Sequence, residues 1–210
     1  MKLGAVVPAA GRSLRMGSEK VLLPFAGLTM LGTVLSKLSE AGVARSVVVL
    51  RPDLAGAHRI ARAAGAEIVI NPHPEDEMLV SIRLGVEPLE GAVDVFFVWP
   101  ADHPAVSAAT LRELASRASR DLAVIPVHSG RRGHPAIVGT DLVADMARIR
   151  PSAGLRQLWR DRADRVRELE VDDPGILENL DDPETYERVR RRAEKELRPE
   201  RGGDFGGRSE

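Results

Sequence analysis

Short apolar runs rich in β-branched residues recur along the first part of the chain. They predict strands over residues 3–7, 46–50, 67–70, 94–99 and 122–127. Each run is nearly continuous rather than alternating, which is typical of strands buried on both faces of a sheet. The segments between them repeat apolar positions at helical spacing and predict helices over residues 29–41, 54–64, 78–89 and 107–118. This alternation predicts an α/β protein with helices on both faces of the sheet.

The pattern changes after Gly130. Shorter apolar runs predict strands over 135–138, 166–171 and 176–180, and helices over 141–149 and 153–161. The sequence Asp182-Pro183-Glu184 is typical of a helix start, so it predicts a last helix that ends near Leu197. We predict a single domain over residues 1–197. Residues 198–210 contain four glycines and few apolar side chains, so we expect a disordered tail.

The composition excludes several classes of protein. The 210 residues include 30 basic and 31 acidic side chains, and the net charge of −1 lacks the basic field of a nucleic-acid-binding protein. The absence of cysteine excludes disulfide scaffolds, thiolate zinc sites, iron–sulfur clusters and cysteine nucleophiles. No run approaches the roughly 20 apolar residues of a membrane span. We therefore expect a cytoplasmic protein that binds neither nucleic acid nor membrane.

The segment that follows the first predicted strand carries the strongest chemical signal. It leaves the carboxyl end of a buried strand, where open α/β sheets bind their ligands. Gly11 lets backbone amides approach an anion, and Arg12, Arg15 and Lys20 add positive charge. The spacing fits neither the Walker A motif nor G-x-G-x-x-G, which disfavours P-loop kinases and Rossmann dehydrogenases. By composition alone, a phosphate-binding loop and a solvated surface turn both remain open.

The residues of this segment match a known signature. Residues 8–24, P-A-A-G-R-S-L-R-M-G-S-E-K-V-L-L-P, resemble the L-A-A-G-x-S-x-R-M-G-x-x-K-x-L-L-P signature of the MobA-like NTP transferases. The A-A-G triplet resembles the molybdenum cofactor cytidylyltransferase group, because guanylyltransferases tend to have A-G-G. The resemblance implies a three-layer, Rossmann-like nucleotidyltransferase fold with a mostly parallel central sheet, and CTP rather than GTP. It also implies that Arg15 and Lys20 are catalytic, and that the nucleotide contacts Ala9, Ala10, Gly11, Arg12 and Ser13.

A second segment supports the match. Residues 71–85 resemble the family pattern N-P-x-x-x-x-G-M-x-x-S-I-x-x-G, with Glu77 in place of its first glycine. The resemblance implies that Ser81 hydrogen-bonds the base and that Asn71 orients the neighbouring loops. By residue type alone, Ser81 would equally be an exposed helix serine, and Asn71-Pro72 would indicate a turn.

A third segment offers a metal ligand. Residues 99–104, W-P-A-D-H-P, resemble the x-x-D-x-P segment whose aspartate holds Mg²⁺ in the family. The resemblance therefore implies that Asp102 is a catalytic residue and a ligand of this cofactor. Oxygen ligands suit a hard divalent cation, while an Asx turn before Pro104 is the structural alternative.

Further oxygen ligands are expected from residues 179–184, N-L-D-D-P-E, which resemble the family segment D-x-D-T-P-E-D. At strand spacing Asn179 and Asp181 point to the same side, so one or both could reach the metal. Asp182 is better placed as a helix cap.

A fifth segment points to the acceptor. Residues 130–135, G-R-R-G-H-P, resemble the G-x-x-G-H-P loop that faces the acceptor in the family, which implies ligand contacts from Arg131 and His134. Arg131 and Arg132 could bind an acceptor phosphate. The alternative is a hairpin connection with solvated side chains.

The resemblance as a whole predicts Mg²⁺-dependent transfer of CMP from CTP to the phosphate of molybdopterin or molybdenum cofactor, with release of pyrophosphate. The expected partners are therefore CTP, this phosphorylated small molecule and a recipient molybdoenzyme. One alternative is guanylyl or other nucleotidyl transfer to a different phosphorylated small molecule. Another is a non-catalytic protein that binds and delivers nucleotide or cofactor, which the departures at Glu77 and Asn179 keep open.

Overall fold

The computed structural model describes residues 1–11 and 19–197. The strands of this part are β1 (Leu3–Pro8), β2 (Pro24–Phe25), β3 (Leu28–Thr29), β4 (Arg45–Leu50), β5 (Glu67–Ile70), β6 (Val95–Val98), β7 (Ala123–His128), β8 (Arg131–Arg132), β9 (Ala136–Gly139) and β10 (Val166–Glu170). Its helices are α1 (Met30–Glu40), α2 (Ala55–Ala63), α3 (Met78–Val86), α4 (Ala108–Arg117), α5 (Val143–Arg148), α6 (Arg156–Asp161) and α7 (Pro183–Leu197).

An eight-stranded sheet forms the centre, in the order β10-β7-β9-β6-β1-β4-β5, with β8 paired to β7. All neighbours are parallel except for the pairs that involve β8 and β9. The predicted α/β fold with a mostly parallel sheet is therefore confirmed. Because β1, β4, β5, β6, β7 and β10 share one direction, the loops at their carboxyl ends meet along one edge.

Helices cover both faces of the sheet and make the three layers. Apolar side chains of α1, α2 and α4 pack on one face, and those of α3, α5 and α6 pack on the other. Gly85 brings α3 close to β1, since a Cβ atom there would lie 2.4 Å from Cγ1 of Val6. The last helix, α7, instead packs Tyr186 and Val189 against Phe25 of the small β2–β3 hairpin.

Two strands differ from the expectation of burial on both faces. β5 is at one edge of the sheet, where Glu67 and Ile70 are exposed, and β10 is at the other edge. The apolar run that identified residues 67–70 thus found the strand but not its position, because an edge strand has a partner on one side only.

The strand predicted over residues 176–180 is wrong. Pro174–Leu177 forms a 3₁₀ turn in which the carboxylate of Asp173 accepts a hydrogen bond from the Gly175 amide (2.9 Å), and residues 178–182 have no helix or strand. The backbone of this segment bonds to loops instead of a strand: the carbonyl of Ile176 accepts from the His134 amide (2.9 Å).

Side chains cap the starts of two helices, and the cap predicted at Asp182 is present. The hydroxyl of Ser107 accepts from the Thr110 amide (3.1 Å), and the carboxylate of Asp182 accepts from the Thr185 amide (2.9 Å). The tail expected over residues 198–210 lies outside the described residues. Within residues 1–11 and 19–197, no helix combines the length and the apolar character needed to cross a bilayer.

Candidate nucleotide and metal site

Four side chains from three distant segments meet at the carboxyl edge of the sheet. Asp102 follows β6, and Lys20 begins a 3₁₀ turn, Lys20–Leu22, downstream of β1. Asn179 and Asp181 lie in the irregular segment before α7. The amide of Leu180 donates to the carbonyl of Asp102 (3.0 Å), and this backbone bond brings the two segments together.

The ammonium of Lys20 lies among the oxygens of the other three side chains. Its Nζ is 3.2 Å from Oδ2 of Asp102 and 3.3 Å from Oδ1 of Asn179, and it also donates to Oδ1 of Asp181. Lys20 is buried, so this cation is held away from bulk water. The three residues predicted as metal ligands therefore converge, although Asn179 and Asp181 are not on the strand from which their common orientation was inferred.

This oxygen cluster has the chemistry of a site for a hard divalent cation. Carboxylate and amide oxygens are the ligands that Mg²⁺ and similar ions take in proteins, and here they already surround one cation, the Lys20 ammonium. The cluster contains two carboxylates and one asparagine. Across the described ranges, no group of three or more His, Asp or Glu side chains is arranged to hold a metal, so the amide oxygen of Asn179 would have to be the third protein ligand. An ion bound by two carboxylates and one amide would complete its coordination with water and substrate phosphates.

Asp102 is held in its ionised form. Burial raises the pKa of its carboxyl group, but the hydrogen bond and charge of His103 and the charge of Lys20 outweigh burial, so the pKa lies well below its ordinary value. Nδ1 of His103 is 2.7 Å from Oδ1 of Asp102, while Oδ2 faces Lys20. The indole of the buried Trp99 donates to the His103 carbonyl (3.1 Å) and holds this turn in place.

Asn71, which follows β5, and Ser81 of α3 form a buried pair. Nδ2 of Asn71 donates to Oγ of Ser81 (3.0 Å), and Oδ1 of Asn71 accepts from the His73 amide (2.9 Å). Ser81 is 6% exposed and thus not an exposed helix serine. Glu77 precedes α3 with φ −59°, a conformation open to any residue, so it replaces the family's glycine without backbone strain.

The signature loop, residues 9–19, follows β1, and its beginning lies beside β4. Ala9 and Ala10 are buried, and the Ala9 amide donates to the carbonyl of Val49 (2.9 Å). Gly11 is exposed, and a Cβ atom there would have no atom of the described residues within 4 Å. Three further residues predicted to bind the nucleotide or act in catalysis lie outside the described residues: Arg12, Ser13 and Arg15.

A pocket of about 390 Å³ opens beside His134, on the far side of His103 from Asp102. Its wall includes His134, whose ring meets that of His103 edge-on with the centroids 4.7 Å apart. Burial, with the charge of His103, lowers the pKa of His134 to about 4, so its ring is neutral at pH 7. Two imidazoles thus connect the pocket to the carboxylate of Asp102.

The two arginines of the acceptor motif have different positions. Arg132 lines the pocket, and its Nε donates to Oε1 of Glu168 (2.6 Å), which offsets its charge. Arg131 is exposed on β8 and lies outside the lining of the pocket. The segment is thus a short hairpin with β7, as the structural alternative supposed, and one of its arginines still reaches the pocket.

Comparison with known proteins identifies the family. The model of the MobA-like NTP transferase domain matches residues 5–166. The chain belongs to this family. The molybdenum cofactor cytidylyltransferase of Escherichia coli (strain K12) is 25% identical over 189 residues, which cover 88% of this chain and 93% of the relative.

Two solved structures have the same fold as this MobA-like chain. A nucleotidyl transferase from Methanothermobacter thermautotroptrophicus has a TM-score of 0.81 at 26% identity, covering 93% of this chain and 99% of that one. Rv0371c from Mycobacterium tuberculosis H37Rv, in complex with manganese, has a TM-score of 0.71 at 25% identity, covering 91% and 99%. The chain is a nucleotidyltransferase, and the resemblance inferred from its motifs is confirmed.

The motifs of the MobA-like enzymes miss part of the pocket wall. Arg156, Trp159 and Arg160 of α6 line it, and no motif drew attention to them. A weak signal was available, because residues at this spacing share one face of a helix and Trp159 is one of only two tryptophans in the chain.

Proposed function

We propose that this enzyme transfers CMP from CTP to the terminal phosphate of molybdopterin or its molybdenum form and releases pyrophosphate. The observation that carries the proposal is the cluster of Lys20, Asp102, Asn179 and Asp181 beside the pocket at His134. The E. coli relative, named for molybdenum cofactor cytidylyl transfer and matched over 93% of its length, supports CTP and this acceptor.

The proposed reaction is a displacement at the α-phosphorus of CTP. An oxygen of the acceptor phosphate forms a bond to this phosphorus, and the bond to the oxygen that bridges the α- and β-phosphates breaks. The electron pair of that bond leaves with pyrophosphate. A phosphate monoester has a second pKa of about 6, so most of the acceptor is a dianion at pH 7 and needs no general base.

The barrier to this reaction is the repulsion between two anions, so the enzyme must supply positive charge in fixed positions. We propose that Lys20 leaves its oxygen partners when the nucleotide binds and donates to the triphosphate. Arg15 and Arg12 would add charge from the signature loop, and Ser13 and the amides near Gly11 would add hydrogen-bond donors.

Asp102, with Asn179 and Asp181, would hold Mg²⁺ through oxygen atoms. The bound ion would supply further positive charge to the phosphates. Burial does not neutralise Asp102, because its contacts lower the pKa more than burial raises it, so the carboxylate could bind a cation throughout the neutral range. The manganese complex of the mycobacterial relative supports a divalent ion in this fold.

We place the base beside Ala9, Ala10 and the Asn71–Ser81 pair, and the acceptor in the pocket at His134. Trp159 offers an aromatic face for a flat ring system, and Arg156 and Arg160 offer charge for its phosphate. Arg131, on the neighbouring hairpin, could also attract the anionic acceptor.

The test is a measurement of pyrophosphate release with molybdopterin and each of CTP, GTP, ATP and UTP in the presence of Mg²⁺. The proposal expects turnover with CTP and its loss in Asp102→Asn. Turnover with GTP alone would indicate a guanylyltransferase. Tight nucleotide binding without pyrophosphate release at saturating Mg²⁺ would indicate a delivery protein.

A further inference from the structure

Arg51 is a buried cation that contacts the signature loop near both of its ends, at Gly11 and at Glu19. It follows β4 directly, and its side chain is 6% exposed. Nε donates to Oδ1 of Asp53 (2.7 Å), Nη1 donates to the carbonyl of Gly11 (3.3 Å), and Nη2 donates to the carboxylate of Glu19. No motif of the sequence drew attention to this residue.

The two loop contacts lie on either side of residues 12–18. Gly11 is the last described residue before this stretch, and Glu19 is the first one after it. Glu19 also begins the turn that carries Lys20, because its carbonyl accepts from the Leu22 amide (2.8 Å). The position of Glu19 therefore determines the position of the turn that carries Lys20.

Packing supports the same anchor. A Cβ atom at Gly56, at the start of α2, would lie 2.8 Å from Cδ1 of Leu22. The turn that carries Lys20 thus fits closely against the segment that follows Arg51. On the other side of the loop, the backbone bond of Ala9 to Val49 holds the chain before Gly11 to the same strand, β4.

We propose that Arg51 is a positioning residue for nucleotide binding, which holds Gly11 and Lys20 at the distance that a triphosphate requires. The guanidinium suits this role because its donors lie in one rigid plane. Groups that are held in place before binding, as Gly11 and Lys20 would be, lose less conformational freedom when the ligand arrives. The inference rests on nucleotide binding by the signature loop, as in the proposed function.

The partners of Arg51 provide a matched pair of variants. Glu19→Ala removes the contact with the loop, and Asp53→Ala removes a contact that does not involve it; each loses one negative charge. Isothermal titration with CTP and Mg²⁺ measures binding apart from turnover. We expect binding about tenfold weaker for Glu19→Ala and Arg51→Met, and a change of less than about twofold for Asp53→Ala.

The double variant of Glu19→Ala with Arg51→Met should bind CTP no more weakly than Arg51→Met alone, because both changes remove the same contact. Arg51→Lys should fall between Arg51→Met and the unaltered chain, because one ammonium cannot bridge both loop ends. If Arg51→Met does not fold, Glu19→Ala carries the test, since the Glu19 side chain is 44% exposed.

Equal losses of affinity in Glu19→Ala and Asp53→Ala, or no loss in Glu19→Ala, would overturn the inference and leave Arg51 a purely structural residue. These results would not affect the proposed function, provided that the unaltered chain binds CTP. If the unaltered chain binds no nucleotide at all, both the proposed function and the role of Arg51 are overturned.

Discussion

The proposed nucleotide side and the proposed acceptor side of the site are built differently. On the nucleotide side, Asn71, Ser81 and Gly85 come from one short stretch of the chain. Asn71 and Ser81 bond to each other, and Gly85 packs closely against β1. On the acceptor side, the pocket is assembled from α3, the hairpin region and α6, and its arginines are exposed. Residues that contact one another within one short stretch keep a fixed spacing, which a sequence motif can record. Residues that line a pocket from separate segments have no fixed spacing, so no motif records them.

The proposed function places the Lys20–Asp102 cluster at the reacting phosphates, so changes there should have the largest effect. We expect Asp102→Asn to lower the rate of pyrophosphate release at least about 100-fold, because the charge that would hold a divalent ion is lost. The fold should persist, since the amide keeps the shape of the carboxyl group. Release of pyrophosphate at the unaltered rate would exclude a catalytic role for Asp102.

Lys20→Met should have two opposite effects. Transfer should fall by about 100-fold because a cation that stabilises the phosphates is lost. Binding of Mn²⁺ without nucleotide should become tighter, because the ammonium no longer occupies the space among the oxygens of Asp102, Asn179 and Asp181. Electron paramagnetic resonance of free Mn²⁺ measures this affinity directly.

The matched control for this change is Lys195→Met, which removes the same charge from an exposed position on α7. It should leave Mn²⁺ affinity unchanged. If Lys20→Met binds Mn²⁺ no better than the control, then the ammonium does not compete with the metal and the cluster is not the metal site.

Trp159→Ala tests the acceptor side alone. We expect the KM for the acceptor to rise about tenfold, because the loss of an aromatic face weakens the binding of a flat ring, while the KM for CTP stays unchanged. Gln157→Ala is the control on the same helix, since Gln157 bonds to Asp161 and lies outside the pocket lining. Equal effects on both KM values would mean that the two sides are not separate.

The sequence predicted the sheet well because its strands are runs of apolar residues. The strand predicted over residues 176–180 was wrong because the apolar residues of this run pack in two different places. Ile176 packs in the core on the sheet face that α1, α2 and α4 cover, whereas Leu180 packs with Tyr186 under α7. The chain between them therefore does not run as a straight strand. Asn179 and Asp181 nevertheless reach the site, because the backbone bond of Leu180 to Asp102 brings them there. Only a tertiary contact could reveal that geometry.

Trp159 and Arg51 were missed for a related reason. Trp159 and His134 come to line the same pocket only in the folded chain, and Arg51 has partners at positions 11, 19 and 53. Neither set of contacts has a regular spacing along the sequence. The motifs instead identified residues such as Asn71, whose main side-chain partners lie within ten positions of it.

Ser81→Ala should have the smallest effect of these changes and tests the nucleotide side. It removes the hydroxyl that accepts a hydrogen bond from the buried Nδ2 of Asn71, so the free energy of unfolding should fall by about 1–3 kcal/mol. The KM for CTP should rise about threefold through the loss of one hydrogen bond, whereas the KM for the acceptor should not change. Steady-state kinetics with one substrate varied at a time, beside denaturant unfolding, separates these effects. A rise in the acceptor KM alone would assign Ser81 to the other side of the site and remove the basis for placing the base beside Asn71.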